Sequence, residues 1–150
     1  MMPKRTFLNR FRFALLGVAV VLWLGCGGKS NLPALVPVTG KVTLDKKPLA
    51  EVAVVFMPIE NTRGQGGQAL TGPDGSYQLK SRDGRGPGVP VGLYRVTVSP
   101  GTMPTGPDGG AVSAGGIVVP SKYISTTQTP LSAKVPEEGG VFDYHLTSSR

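Results

Sequence analysis

The chain has 150 residues, including 22 glycines, 14 prolines and one cysteine, and its 16 basic and nine acidic residues give a formal net charge of +7. This length fits one domain, and a single cysteine excludes an internal disulfide framework. Four basic residues lie in the first 12 positions, which leaves about +3 for the rest of the chain. The remaining basic residues are scattered, unlike the basic stripe of a nucleic-acid-binding protein, so we expect no nucleic-acid partner.

The N-terminal segment has the pattern of an export signal. Its basic residues precede an uncharged run, Phe13–Leu24, which is 12 residues long. Gly25 and Cys26 follow this run. A membrane-spanning helix needs about 20 apolar residues, whereas the apolar core of a signal peptide is about this short. We therefore predict that residues 1–25 are a signal peptide. A plain secretory signal cut near Gly25 or Gly28 and an uncleaved anchor remain alternatives.

The stretch Leu22–Gly28 resembles the lipobox of bacterial lipoproteins, with Trp23 at a position that is usually aliphatic. In that family the signal peptidase cuts before the cysteine, which then carries acyl chains such as palmitate. Several acyl chains hold a protein firmly on a membrane, whereas one chain binds only reversibly. The resemblance implies that Cys26 is the lipid-attachment residue. It also implies a membrane-anchored lipoprotein of the cell envelope, on its periplasmic or outer-membrane face.

The rest of the chain has the pattern of a β-domain on a tether. Residues 26–37 are predicted to be the tether, because Asn31–Pro37 contains two prolines and no regular alternation. Over residues 38–147, short alternating apolar segments are separated by Gly and Pro clusters, which is typical of an all-β domain. The predicted strands are Val38–Leu44, Val52–Met57, Ser76–Lys80, Leu93–Ser99 and Val141–Thr147, with shorter candidates at Gln68–Thr71, Ile117–Val119 and Leu131–Val135. About seven strands without a helix of useful length predict an Ig-like two-sheet β-sandwich.

Turns and loops connect these strands. Asp45–Pro48 and Gly72–Gly75 are predicted turns, because proline fixes φ and glycine accepts a positive φ. The long loops are Asn61–Gly67, Ser81–Val89 and Pro100–Gly116.

Several motifs resemble those of carboxypeptidase regulatory-like domains, which belong to the transthyretin-like or prealbumin-like β-sandwiches. The whole chain resembles small bacterial lipoproteins built from one such domain. The motifs are Thr39–Val42, Lys47–Val54, Thr71–Tyr77, Pro90–Val96 and Pro120–Tyr123. We expect Gly40 to permit close packing of the first strand and Tyr77 and Tyr94 to lie in the core. The resemblance implies a prealbumin-like fold and a noncatalytic accessory or adhesive module without a cofactor.

Few residues suggest chemistry of their own. The single histidine, His145, alternates with inward-facing residues and is expected at the surface. Asp74, Asp83 and Asp108 are isolated acids, whereas calcium takes six to eight oxygen ligands. Lys41 and Asp143 resemble the partners of an isopeptide bond in related adhesin domains, but alternation places both on the polar face. We therefore expect no catalytic, cofactor-binding or metal-binding residue.

The sequence thus predicts a non-enzymatic, lipid-anchored envelope protein. It would act as a structural module or as an interaction module for another envelope protein or a polysaccharide. The alternative is a periplasmic carbohydrate- or solute-binding protein that uses the three long loops, since loops on a rigid sandwich often carry binding.

Overall fold

The computed structural model describes residues 31–104, 111–113 and 119–148, in which β-strands predominate. The elements are β1 (Leu35–Val36), β2 (Val38–Leu44), β3 (Lys47–Pro48), β4 (Val52–Pro58), β5 (Gly67–Leu70), β6 (Ser76–Gln78), β7 (Lys80–Ser81), β8 (Val89–Pro90), β9 (Gly92–Pro100), β10 (Thr102–Pro104), β11 (Ala111–Ser113), α1 (Ser121–Ile124), β12 (Ser132–Val135), β13 (Gly140–Val141) and β14 (Tyr144–Leu146). The predicted all-β class is confirmed. The predicted signal peptide, Cys26, Asp108 and most of the candidate strand at Ile117–Val119 lie outside the described residues.

The first sheet has the strand order β12-β9-β4-β5-β7 and is antiparallel throughout. Its longest pairing joins β4 to β9, from Val52 opposite Pro100 to Pro58 opposite Tyr94. β4 covers the predicted strand Val52–Met57 and is the middle strand of the five. Its alternate residues Val52, Val54 and Phe56 are fully buried.

The second sheet is built around β2, which spans the residues predicted for the first strand. β13 and β14 run parallel to β2 along one side, and β6 and β3 run antiparallel to it along the other. Val38, Gly40 and Val42 are buried and alternate with more exposed residues, as the sequence predicts. The buried faces of the two sheets form one core, which makes the fold a β-sandwich.

The ring of Phe56 lies among four other aromatic rings of this core. Tyr94, from the same sheet, has its ring centroid 5.8 Å away. The other three rings come from the second sheet, with Tyr77 at 6.5 Å, Phe142 at 6.1 Å and Tyr144 at 6.3 Å. Tilted and edge-on contacts at these distances are favourable for aromatic pairs. Phe56 therefore holds the two sheets together.

The predicted last strand, Val141–Thr147, is interrupted at Phe142 and Asp143, because the backbone of Phe142 lies against Gly40 of β2. The carbonyl of Phe142 points at Gly40, where a Cβ would lie 1.9 Å from the oxygen. This carbonyl accepts a hydrogen bond from the Tyr77 hydroxyl at 2.7 Å. The amide of Lys41 donates to the side-chain carboxylate of Asp143, at 2.8 Å, and not to a backbone carbonyl of the last strand. The predicted close packing at Gly40 is confirmed, and it divides the last strand into β13 and β14.

The predicted strand Ser76–Lys80 is also divided, because its two halves belong to different sheets. β6 pairs with β2, whereas β7 pairs with β5. Leu79 stands between them and is fully buried; its amide donates to Val38 and its carbonyl accepts from Gly88. Tyr77 faces the core, as predicted, and Leu79 faces it as well.

The ordered domain begins before the predicted boundary at Val38. β1 lies inside the predicted tether and pairs antiparallel with β8, and Val36 is buried. The pairing is only two residues long, too short to produce an alternating pattern in the sequence. A four-residue helix, α1, also lies in a segment for which the sequence predicts no strand.

Tyr94 is fully buried, and its hydroxyl donates a 2.6 Å hydrogen bond to the carbonyl of Pro90, four residues earlier in the chain. A tyrosine that bonds back to the backbone a few residues upstream is a feature of Greek-key β-sandwiches. The predicted core positions of Tyr77 and Tyr94 are confirmed.

We predict that Gly40→Ala destabilises the domain by roughly 1–3 kcal/mol, the usual cost of overpacking a core. The added methyl group would collide with the Phe142 carbonyl and disturb its bond with Tyr77. Urea unfolding measures the loss. Gly72→Ala is the matched control, because a Cβ there makes only ordinary contacts, the nearest at 3.5 Å. Equal stabilities of the two variants would contradict the packing argument.

We also predict that the domain loses stability at alkaline pH. Burial raises the pKa of Tyr94 from 10.0 to about 12, and burial also raises the pKa values of Tyr77 and Tyr144. The folded state therefore favours the neutral phenols. This stabilisation is complete below the unfolded pKa near 10 and is lost as pH rises through the folded values.

Urea unfolding midpoints measured at increasing pH, together with tyrosinate absorbance, test this alkaline transition. Tyr94→Phe should be less stable at neutral pH, because it loses the bond to Pro90, but its stability should decline less steeply above pH 10. A stability that stays flat up to pH 12 would contradict the prediction.

Candidate functional site

Three segments meet at the end of the sandwich where the N-terminal segment joins it. We call this surface the entry end and define it as the segment Leu32–Val36, the loop 59–66 and the segment 82–91. The amide of Arg82 donates to the carbonyl of Gly66 at 3.1 Å. A Cβ at Gly64 would lie 2.9 Å from Cγ of Pro90 and 3.9 Å from Cγ of Pro33. These contacts make the three segments one continuous surface.

Arg85 fastens the N-terminal segment to this surface. Its Nη1 donates to the carbonyl of Pro33 at 2.6 Å, while its Nε donates to the Asp83 carboxylate at 2.8 Å. The Ser81 hydroxyl also donates to that carboxylate, and this bond, together with Arg85 and against the effect of burial, lowers the pKa of Asp83. The β1–β8 pairing continues the attachment from Leu35 to Val36. The path of the chain into the sandwich is therefore fixed from Pro33 onward.

The entry end carries exposed apolar and basic side chains. Leu32 and Val91 are 51% and 43% exposed, although both are large hydrophobic residues. Arg63 and Arg82 are also exposed, and neither guanidinium has a hydrogen bond or an ion pair with another described residue. Glu60, on the same loop as Arg63, is exposed as well. This combination of free guanidinium groups and apolar side chains is suited to contact with another surface.

The three long loops that the alternative binding-protein hypothesis uses begin at two different ends of the sandwich. The loops that begin at Asn61 and Ser81 belong to the entry end, next to the Pro58–Tyr94 end of the β4–β9 pairing. The loop that begins at Pro100 starts at the opposite end, where the amide of Gly101 donates to Glu51. Seven strand residues separate the two ends, a length of about 20 Å.

A shallow groove runs along the seam where β5 and β6 diverge into different sheets. It consists of two adjoining depressions of about 610 and 690 Å³, which share Leu70, Gln78 and Lys80. The β5–β7 pairing ends at Gln68 and Lys80, so Leu70 and Gln78 remain unpaired with each other. The groove is open and of mixed polarity, and its geometry does not select a ligand class.

The residues that the sequence singled out for chemistry have structural partners. His145 is exposed as predicted, and its Nδ1 lies 2.9 Å from Oγ1 of Thr43. Asp74 accepts bonds from the amide and hydroxyl of Ser76 within the predicted turn, and these bonds lower its pKa.

The Lys41 ammonium lies 3.7 Å from Asp74, and both side chains are more than half exposed. Lys41 and Asp143 meet only through the Lys41 amide, so the structure does not bring together the groups of an isopeptide bond.

Two further observations concern the described residues alone. Across residues 31–104, 111–113 and 119–148, no three His, Cys, Asp or Glu side chains are grouped as metal ligands would be. In the same residues, no helix has the length and apolar character needed to cross a bilayer.

Comparison with known proteins assigns no relative to this chain. No family model, no curated protein and no solved structure matches it. The resemblance to carboxypeptidase regulatory-like lipoproteins therefore stays a prediction.

We predict that Arg85→Ala loosens the N-terminal attachment without unfolding the sandwich, because the guanidinium holds the Pro33 carbonyl but lies outside the core. Hydrogen exchange of the Leu35 and Val36 amides should accelerate, while exchange in the β4–β9 core stays unchanged. Arg95→Ala is the matched control, since Arg95 donates to the Thr126 carbonyl elsewhere on the surface. Unchanged exchange at Leu35 and Val36 in Arg85→Ala would contradict the proposed attachment.

Proposed function

We propose that this chain is a non-enzymatic, lipid-anchored protein of the cell envelope, held by acyl chains on Cys26. The β-sandwich would present its surfaces to another envelope protein or to a polysaccharide. The observation that carries the proposal is the fixed entry of the chain, through the Arg85–Pro33 bond and the β1–β8 pairing. A domain whose N-terminal segment from Pro33 onward is attached to its body is suited to transmit a defined orientation from an anchor.

The roles of the polar residues support a binding module over an enzyme. The carboxylate of Asp74 bonds to Ser76 within a turn, and that of Asp83 bonds to Arg85. The hydroxyls of Tyr77 and Tyr94 bond to backbone carbonyls. Each of these groups has a structural use that its position explains.

The position of the export-type segment supports the location in the cell envelope. Cys26 precedes Pro33 and β1 by only a few positions, and the apolar run before it has the length of a signal-peptide core. A short connection of this kind would hold the sandwich close to the surface in which the acyl chains are embedded.

Metabolic labelling with a fatty-acid analogue tests the anchor. We expect the wild-type chain to incorporate the label and to sediment with membranes, whereas Cys26→Ala should remain unlabelled and should retain its signal segment. Acylation uses the thiol, so no other residue of the chain can replace the only cysteine. Equal labelling of the two proteins, or a soluble wild-type protein with a free thiol, would refute the proposal.

A further inference from the structure

We propose that the entry end is a membrane-contact surface, at which Arg63 and Arg82 bind lipid phosphates and Leu32 and Val91 enter the headgroup layer. This inference rests on the proposed acylation of Cys26 and adds an orientation to it. The sandwich would stand on the bilayer with the entry end down and the opposite end, which contains the β2–β3 turn, directed away.

The length of the chain between the anchor and the sandwich limits where the entry end can lie. Six residues lead from Cys26 to Leu32, and a fully extended segment of this length reaches about 20 Å. The attachment of Pro33 and β1 to the sandwich leaves no further free length. Acyl chains on Cys26 would therefore hold the entry end within about 20 Å of the bilayer surface, even with the connection fully stretched.

The side chains exposed at the entry end fit a phospholipid surface. A guanidinium group donates two parallel hydrogen bonds to one phosphate, and it is more weakly hydrated than an ammonium group. Arg63 and Arg82 make no hydrogen bond or ion pair with other described residues, so a phosphate would not have to displace a protein partner. Leu32 and Val91 are both about half exposed, and apolar residues of this kind enter the boundary between headgroups and acyl chains.

Acidic residues surround the arginines of the entry end. They favour contact between each arginine and an individual phosphate over a diffuse attraction between the whole entry end and an anionic membrane. Glu60 lies on the loop of Arg63, and Glu137 and Glu138 lie in the β12–β13 turn, which reaches Pro37 through the bond from the Gly140 amide. Asp83 is paired with Arg85. These four acids exceed the three arginines of this end by one charge, so binding should depend on the guanidinium groups of Arg63 and Arg82 themselves.

The opposite end of the sandwich provides an internal comparison. Lys46 and Lys47 form an exposed basic pair at the β2–β3 turn. They would bind an anionic surface equally well on charge alone, but they lie about a strand length, roughly 20 Å, farther from the entry end. The connection from Cys26 favours the entry end over this pair.

Hydrogen exchange of the full acylated protein tests the proposal. The protein is purified from membranes and reconstituted into vesicles of phosphatidylethanolamine and phosphatidylglycerol, and the same protein in neutral detergent is the reference. We expect slower exchange in residues 59–66 and 82–91 on vesicles. Because a hydrogen bond to a charged group contributes about 1.5 kcal/mol, exchange should slow by about tenfold for each arginine that binds a phosphate.

Two charge-reversed variants separate the entry end from general basicity. Arg63→Glu combined with Arg82→Glu should abolish the protection on vesicles, whereas Lys46→Glu combined with Lys47→Glu should keep it. Unchanged exchange in the β4–β9 core shows that both variants are folded. Equal protection in both variants, or entry-end exchange on vesicles that matches the detergent reference, would overturn the proposal.

Flotation of the vesicles distinguishes this proposal from the anchor on which it rests. A wild-type protein that does not float with vesicles lacks the anchor, and it refutes both proposals. If the protein floats but its entry end exchanges as fast as in detergent, the proposed anchor stands and the proposed membrane contact is refuted. A protein that floats and is protected at the β2–β3 turn instead would have the reverse orientation.

Discussion

The contact between Gly40 and the carbonyl of Phe142 is the constraint on which the second sheet depends. Because Gly40 has no side chain, the chain after β13 can approach β2 closely enough for this carbonyl to accept the Tyr77 hydroxyl. One oxygen thus connects three strands of the sheet, and it also places the rings of Tyr77 and Phe142 against Phe56. The junction between the two sheets therefore depends on a position that contributes no side-chain atoms.

Elements with long, regular alternation could be predicted from the sequence alone. β2 and β9 were predicted almost residue by residue from their alternating apolar residues, and β4 was predicted from an apolar run; the three strands are seven to nine residues long. The divisions at Leu79 and at Phe142 could not be predicted. They depend on which distant strand accepts each backbone group, and the local pattern continues unbroken through both positions.

The entry end was harder to infer than the core, for physical reasons. Its main contact joins Arg85 to Pro33, which are 52 residues apart, and the two-residue β1–β8 pairing is too short to give a periodic signal. The local sequence feature that corresponds to this pairing is the apolar pair Leu35–Val36 between two prolines. The two loops of the entry end lie where the sequence predicts them, whereas the described part of the predicted loop Pro100–Gly116 forms the β10–β11 hairpin. The positions of the loops at two ends of the sandwich follow from the β4–β9 register.

The parallel pairing of β14 with β2 affects how the chain can fold. Lys41 and Asp143 are 102 positions apart, so the sheet that contains the first long strand cannot close until nearly the whole domain is available. Contacts of such long range make folding slow. A polypeptide that emerges gradually, as during synthesis or secretion, would remain open until its final strand arrives. Such delayed closure would suit the export that we propose for this chain, in which the polypeptide would cross a translocation channel unfolded.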